Sequence, residues 1–256
     1  MSDEGRIMHG DCIEIMRNEI EDNSVDMVFC DLPYGTTQNS WDVIIPFDEL
    51  WEQYNRVVKE NGAIVLTSQS PFDKVLAMSN LKNFRYEWIW EKNKASGHLN
   101  AKRMPMKCHE NILVFYRKLP VYNPQMTTGH KPMNAVLPRE NMPEPDEKRN
   151  YNHVPVRLGN KGGQTQRYPR DVLTFPVINN DDPNKFHPTQ KPVKLIEYFI
   201  KTYTHVGDTV LDNCMGSGST CIACTNTDRK YIGIEQNKEY FDRAKEWIAD
   251  AHPLGI

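Results

Sequence analysis

Residues 207–220 read Gly207-Asp208-Thr209-Val210-Leu211-Asp212-Asn213-Cys214-Met215-Gly216-Ser217-Gly218-Ser219-Thr220. A short apolar run ends in an acid, passes into a glycine-rich turn, and continues into a stretch with helical spacing. Strand, turn and helix in that order make a nucleotide-binding βα unit. Gly216 and Gly218 let backbone N–H groups come close to a ligand, and the start of a helix favours an anionic group there. Glu235 stands 17 residues beyond Gly218, at the end of Tyr231-Ile232-Gly233-Ile234-Glu235, where an acid can accept hydrogen bonds from ribose hydroxyls. These features point to an adenosine-containing cofactor. Alone they do not separate a dinucleotide from S-adenosylmethionine, although Cys221 stands where the third glycine of a G-x-G-x-x-G pattern is expected.

The same alternation extends along the chain. Strands are expected at Arg6 to His9, Val25 to Cys30, Ala63 to Thr67, Phe84 to Trp90, Ile112 to Tyr116, Thr209 to Leu211 and Tyr231 to Ile234. Helical apolar stripes recur at Phe47, Leu50, Trp51, Tyr54, Val57 and Val58, at Val193, Ile196, Phe199 and Ile200, and at Tyr240, Phe241, Ala244, Trp247 and Ile248. Seven strands with helices between them predict a doubly wound α/β sheet, mainly parallel. From Leu119 to Pro192 the alternation fails: twelve of the 17 prolines lie there, so an inserted lobe or long functional loop is expected.

Composition excludes several classes. With 39% hydrophobic and 25% charged residues over 256 positions, the chain is globular, not disordered, collagenous or a disulfide framework. No run approaches the roughly 20 apolar residues of a membrane span, and the six cysteines lack framework spacing, so a reduced, cytoplasmic setting is expected. The net charge of −3 hides two acid-free basic segments. Lys92 to His109 carries Lys92, Lys94, Lys102, Arg103 and Lys107. Lys148 to Arg170 carries Lys148, Arg149, Arg157, Lys161, Arg167 and Arg170. Eleven positive charges in two segments leave −14 on the remainder, an arrangement that serves either a phosphate-binding face or two solvated loops.

A second motif, Asp31-Leu32-Pro33-Tyr34-Gly35, follows the apolar run Val25 to Cys30. A carboxylate, a proline-fixed turn and an aromatic then stand at the C-terminal edge of a sheet, where α/β proteins bind ligands. Such a set suits attack by an exocyclic amine. Its lone pair is delocalised into the ring, and acceptance of both N–H bonds by Asp31 and a carbonyl of Leu32 or Pro33 favours the localised lone pair of the transition state. Tyr34 would stack on the base.

Asp31 to Tyr34, then His187-Pro188-Thr189-Gln190-Lys191-Pro192, then Cys214-Met215-Gly216-Ser217-Gly218-Ser219-Thr220 resemble the amino-methyltransferases of DNA, and their order resembles the β subgroup. The resemblance spans Gly10 to about Trp247. It implies a class I methyltransferase sheet, circularly permuted, with residues 1–118 as the catalytic half, 119–186 as the target-recognition region and 187–256 as the cofactor half. It implies transfer of a methyl group from S-adenosylmethionine to the 6-amino group of adenine in double-stranded DNA after base flipping, with the 4-amino group of cytosine as the alternative. By residue, it gives Asp31, Leu32 (through its carbonyl), Pro33 and Tyr34 to catalysis. Asp212, Met215, Gly216 and Gly218 would hold the methionine part of the cofactor, and Glu235 its ribose. Asp11, with Cys12 beside it, would contact the adenine, and Thr189 and Gln190 would close over the methionine end. Lys92, Lys94, Arg103, Arg157, Lys161 and Arg167 then become candidates for DNA phosphates. Subgroup relatives are often dimers, so a homodimer is an expectation of the resemblance alone.

Leu32 replaces the subgroup's usual first proline, and Asn213-Cys214 its usual Pro-Phe. Asp at the head of the catalytic box favours adenine, because cytosine enzymes usually carry Ser there. Cys221 and Cys224 read as core cysteines, and no metal is expected. His187 reads as a loop histidine, and Trp41-Asp42 as either a lid over the target base or surface packing. Three competing readings are weaker: an amide or RNA-base methyltransferase, whose cofactor box usually comes first; a DNA-binding protein on a silenced scaffold; and a nicotinamide oxidoreductase, which leaves Asp31 to Tyr34 without a role.

Overall fold

The computed structural model describes residues 5–36, 39, 42–135, 160–182 and 185–251. Its strands are β1 (Gly5–His9), β2 (Val25–Asp31), β3 (Val58–Ser68), β4 (Phe84–Ser96), β5 (Lys107–Phe115), β6 (Val172–Phe175), β7 (Thr209–Asp212) and β8 (Lys230–Glu235). The helices are α1 (Cys12–Glu19), α2 (Phe47–Val57), α3 (Phe72–Ser79), α4 (Val193–Tyr203), α5 (Ser219–Thr225) and α6 (Lys238–Ala251). The strands form one sheet in the order β1-β8-β7-β2-β3-β5-β4-β6, in which only β5 runs antiparallel to its neighbours.

The sheet therefore has eight strands where the sequence predicts seven. The additional strand, Val172–Phe175, pairs in parallel with β4 from Ile89↔Val172 to Lys92↔Phe175. It is four residues long, half-exposed and set among prolines, so it carries neither the length nor the continuous apolar run by which a buried strand is recognised. The last turn of the recognition region, as drawn from the sequence, is in this way a sheet edge. By compactness the chain divides into one unit of Met1–Asn123 with Arg170–Ile256, and a second of Pro124–Pro169. Within the second unit, Thr127 and Arg167 form an antiparallel bridge. The Arg167 guanidinium donates to the carbonyls of Lys131, Gln164 and Gln166.

β2 is buried along nearly its whole length because both faces of the sheet are covered, which explains its unbroken apolar run. One face packs against α1, α2 and α3 through Met16, Leu50, Tyr54 and Leu76. The opposite face packs against α4 and α5 through Leu195, Phe199 and Ala223. The central feature for function is the pairing of β2 with β7, Met27↔Val210 and Val28↔Leu211, in parallel. Their C-terminal residues, Asp31 and Asp212, consequently leave the sheet side by side on one edge.

Two local devices fix that edge. The Tyr54 hydroxyl of α2 donates to Asn213 Oδ1 at 2.6 Å, and both residues are buried. Gly218 adopts φ +81, where an added Cβ would lie 2.9 Å from Ile248 Cδ1. Tyr54→Phe leaves the Asn213 carbonyl oxygen buried without its donor, so unfolding free energy from urea titration should fall by about 1–3 kcal/mol. An unchanged urea midpoint would refute that account. Gly218→Ala combines left-handed strain with a steric clash and should lower stability by about 1–3 kcal/mol; a wild-type melting temperature for that variant would contradict the geometry.

Candidate active site

The ends of β2 and β7 open into a cleft of about 1070 Å³, and among the described residues those that line it belong to the first compact unit. The cleft has a carboxylate end at Asp31 and a glycine-turn end at Asp212 to Gly218.

At the first end, Asp31 is held by several partners. Tyr34 donates its hydroxyl to Asp31 Oδ1 at 2.7 Å, and the hydroxyl of Thr67, from the neighbouring β3, donates to the same oxygen. Lys191 Nζ donates to Asp31 Oδ2 at 2.5 Å. Burial pushes the Asp31 carboxyl up, but the Lys191 ammonium and these hydrogen bonds outweigh it and hold the group below its ordinary value. Asp31 is therefore an ionised carboxylate facing the cleft. Leu32 is buried, which leaves its backbone rather than its side chain for contact with a ligand, and both Leu32 and Pro33 line the cleft. The Tyr34 ring stacks on Phe72, centroids 5.0 Å apart. The loop beyond is clamped by Asp42, whose two carboxylate oxygens accept from Gly35 N and Thr36 N at 2.8 and 2.9 Å. Its neighbour Trp41, the other half of the expected lid, lies outside the described residues.

At the second end, Asp212 Oδ1 accepts from Cys214 N and Oδ2 from the Thr220 hydroxyl at 2.5 Å. Burial pushes the Asp212 carboxyl up to about 7, and these neutral donors bring no opposing charge. A buried acid facing a cleft without a cation beside it fits a ligand that brings positive charge. Met215 is buried against α5 and α6, and its N–H donates to Ile234 O, tying the glycine turn to β8. His187 covers Gly216 and stacks edge-on to Tyr240 at 4.4 Å between centroids. Burial lowers His187 to about 4, so its ring is neutral near pH 7. Gln190 Oε1 accepts from Phe186 N, and Thr189 Oγ1 lies 3.2 Å from His187 Nδ1, so the two residues brace this loop.

Glu235 and Asp11 have local duties. Glu235 Oε2 accepts from Gly216 N and Oε1 from Asn237 N, at 2.9 and 2.7 Å. With the Gln236 backbone also donating to this carboxylate, lone pairs remain on it for a hydroxyl. Asp11 Oδ1 caps α1 by accepting from Ile13 N and Glu14 N. Cys12, at the start of α1, approaches the Cys214 thiol. Cys221 and Cys224 are buried in α5, and among the described residues no group of three or more His, Cys, Asp or Glu could hold a metal.

The basic residues divide. Lys94 and Arg103 are exposed on the β4–β5 hairpin, with Lys94 Nζ 2.6 Å from Asn179 Oδ1. Lys161 is exposed in the second unit. Arg167 is engaged by carbonyls of its own unit, and Arg157 lies outside the described residues. Lys92 and Lys94 both line the cleft, but Lys92 is the more enclosed: it is half-buried beside Trp90 and pairs with Glu110. Sequence reasoning missed Thr67, Glu110, Asp42 as a clamp, and Lys191 as the partner of Asp31. Lys191 stood in view within the motif His187 to Pro192, but only the fold reveals what it meets.

Comparisons with known proteins agree with this geometry. A family model for DNA methylases, N6_N4_Mtase, matches residues 25–246. DNA adenine methyltransferase YhdJ of Escherichia coli K12 is 29% identical over 255 residues, covering 91% of this chain and 79% of that protein. Type II methyltransferase M.HpaI of Haemophilus parainfluenzae is 30% identical over 256 residues, 94% of this chain and 73% of that one. Among solved structures, the M1.HpyAVI–SAM complex aligns with TM-score 0.60 at 26% identity, covering 94% of this chain and 98% of that chain. The cytosine-N4-specific PvuII DNA methyltransferase aligns with TM-score 0.67 over 97% of this chain and 91% of that one, but at 15% identity it speaks to the fold alone. With the strand ending at Asp31 and the glycine-turn strand paired at the core of the same sheet, this chain belongs to the N6/N4 family of DNA methylases.

Proposed function

We propose that this DNA methylase transfers a methyl group to the 6-amino group of adenine in double-stranded DNA, with the target base turned out of the duplex into the cleft. The observation that carries the reading is the ionised Asp31 facing a cleft whose other end is the glycine turn. An amine buried in stacked, paired DNA cannot reach a carboxylate recessed in a cleft, which is the reason to expect extrusion. Adenine is favoured over cytosine by an Asp at the head of the box and by the likeness to the E. coli adenine methyltransferase.

S-adenosylmethionine is the cofactor, and when bound it supplies a methyl group already activated by sulfonium charge. The cleft volume is sufficient for a nucleoside cofactor and a base together. Asp212, Met215, Gly216 and Gly218 would hold its methionine part. Glu235 offers its remaining lone pairs to the ribose, and Asp11 and Cys12 border the adenine. Thr189 and Gln190 keep the loop carrying His187 over Gly216. Asp31 and the Leu32 carbonyl accept the two N–H bonds of the amine, which localises its lone pair for attack. Pro33 fixes the turn, and the Tyr34 face turned away from Phe72 receives the base. Lys94, Arg103, Arg157, Lys161 and Arg167 are assigned to phosphates; Lys92 is reassigned to the cleft interior. No helix among the described residues is long and apolar enough to cross a membrane, and a cytoplasmic setting with access to DNA follows from the proposed substrate.

Nucleoside analysis of DNA from cells expressing the chain should yield N6-methyladenine; N4-methylcytosine alone would replace the reading with its cytosine alternative. Asp31→Ala should lower methyl transfer by at least about 100-fold while binding of S-adenosylmethionine stays nearly intact. Full activity in that variant would remove Asp31 from the chemistry. The titration of Asp212 gives a pH prediction. A cationic ligand favours its ionised form, which becomes populated as pH rises through about 7. Calorimetric affinity for S-adenosylmethionine should therefore tighten between pH 6 and pH 8 by up to about tenfold and level off above. Asp212→Asn should flatten the profile, and a flat wild-type profile would contradict the assignment.

A further inference from the structure

Lys191 lies between two carboxylates of the same cleft. Its Nζ donates to Asp31 Oδ2 at 2.5 Å and stands 3.6 Å from Glu110 Oε2, with the lysine side chain 9% exposed and that of Glu110 10%. Glu110 Oε1 accepts from Lys92, whereas Glu110 Oε2 is buried and, among the described residues, has no hydrogen-bond partner. A buried carboxylate oxygen without a donor is unfavourable, and native structures seldom leave one without a reason. A shift of the ammonium by about 1 Å would complete the missing bond.

The other oxygen of Asp31 is occupied as well. Oδ1 accepts from both Tyr34 and Thr67, so an incoming amine must use Oδ2, where Lys191 already takes one of the two lone pairs and competes for the charge of that oxygen. We propose that Lys191 is a movable counter-ion, bonded to Asp31 Oδ2 while the target pocket is empty and passed to Glu110 Oε2 when the target amine donates to Asp31. This rests on the amino-methyltransferase reading above. The hand-over keeps a cation within ion-pair reach of Asp31 throughout, so the carboxylate stays ionised, yet it leaves Oδ2 to the amine without a competing charged donor. Lys191 and Glu110 act through Asp31 and are positioning residues.

The groups facing Asp31 are few. Lys191 and His187 come from the segment before α4, Glu110 from β5, Lys92 from β4, Asp212 from β7, and Cys30 and Tyr34 flank it in its own segment. Lys191 and the hydrogen bonds to Asp31 hold the carboxyl down. Lys191 is itself held up: burial works against its charge, and Asp31 and Glu110 outweigh the burial. If Asp31 must be ionised to act, kcat/KM falls as pH drops through its titration. Removing the Lys191 charge moves that acid limb upward; removing the Glu110 charge leaves it in place or moves it downward.

The test is the pH profile of kcat/KM for methyl transfer to DNA by the wild type and by K191M, K191R and E110Q, with the dissociation constant for S-adenosylmethionine measured alongside. K191M should move the acid limb up by about one unit or more and lower kcat by at least about tenfold. K191R should restore the limb and part of kcat. E110Q, which gives Lys191 no carboxylate to pass to, should lower kcat/KM for DNA by about tenfold with no upward movement of the limb and unchanged cofactor affinity. A lysine with a merely structural role predicts equal losses for K191M and K191R and no movement of the limb. A wild-type acid limb in K191M, or wild-type kcat/KM in E110Q, overturns the proposal. Should K191M fail to fold, E110Q and K191R decide it by the same criteria. Absence of transfer by the wild type to any DNA would overturn the functional reading and the proposal with it.

Discussion

The parallel pairing of β2 with β7 is the constraint on which the rest of the structure depends. Those strands are far apart in sequence, yet Met27↔Val210 and Val28↔Leu211 lie in register, which brings Asp31 and Asp212 to the same edge. One carboxylate is kept ionised by a buried lysine, and the other has no cation beside it among the described residues. Two acids of one cleft, one held ionised and the other pushed up by burial, are thus differentiated by environment, not by residue type. Burial on both faces by α1–α3 and by α4 and α5 makes the pairing rigid, since the strands between them have no solvent face to turn to.

Electrostatics around Asp31 form a chain of alternating charges: Asp31, Lys191, Glu110, Lys92. Buried ion pairs of this kind contribute little net stability, because desolvation opposes attraction. Their retention inside a cleft argues for a role in position and charge state. The two hydroxyl donors on Asp31 Oδ1 add direction: they fix one carboxylate oxygen and leave the other facing the lysine.

Much of this was legible in the letters, for identifiable reasons. β2 and β7 announce themselves as apolar runs ending in acids, and Gly216 and Gly218 as a turn open to a ligand, where the structure adds that both have left-handed backbone. The short β6 was hidden because four half-exposed residues among prolines carry no periodic signal. Charge counting grouped Lys92 with its exposed neighbours, since a tally along the chain contains no burial; in the fold it pairs with Glu110. Glu235 was expected to await a ribose, and the structure shows it also bracing Gly216 and Asn237. Partners such as Thr67 and Lys191 come from distant parts of the chain, and only the strand order places them around Asp31.

The most direct measurement of the central claim is a crystal structure with S-adenosylmethionine bound. The account predicts the methionine end against Asp212 and the glycine turn, with the transferable methyl carbon pointing toward Asp31 and within about 6 Å of a carboxylate oxygen, room for one amine nitrogen between them. A cofactor seated elsewhere, or a methyl group directed away from Asp31, would contradict it.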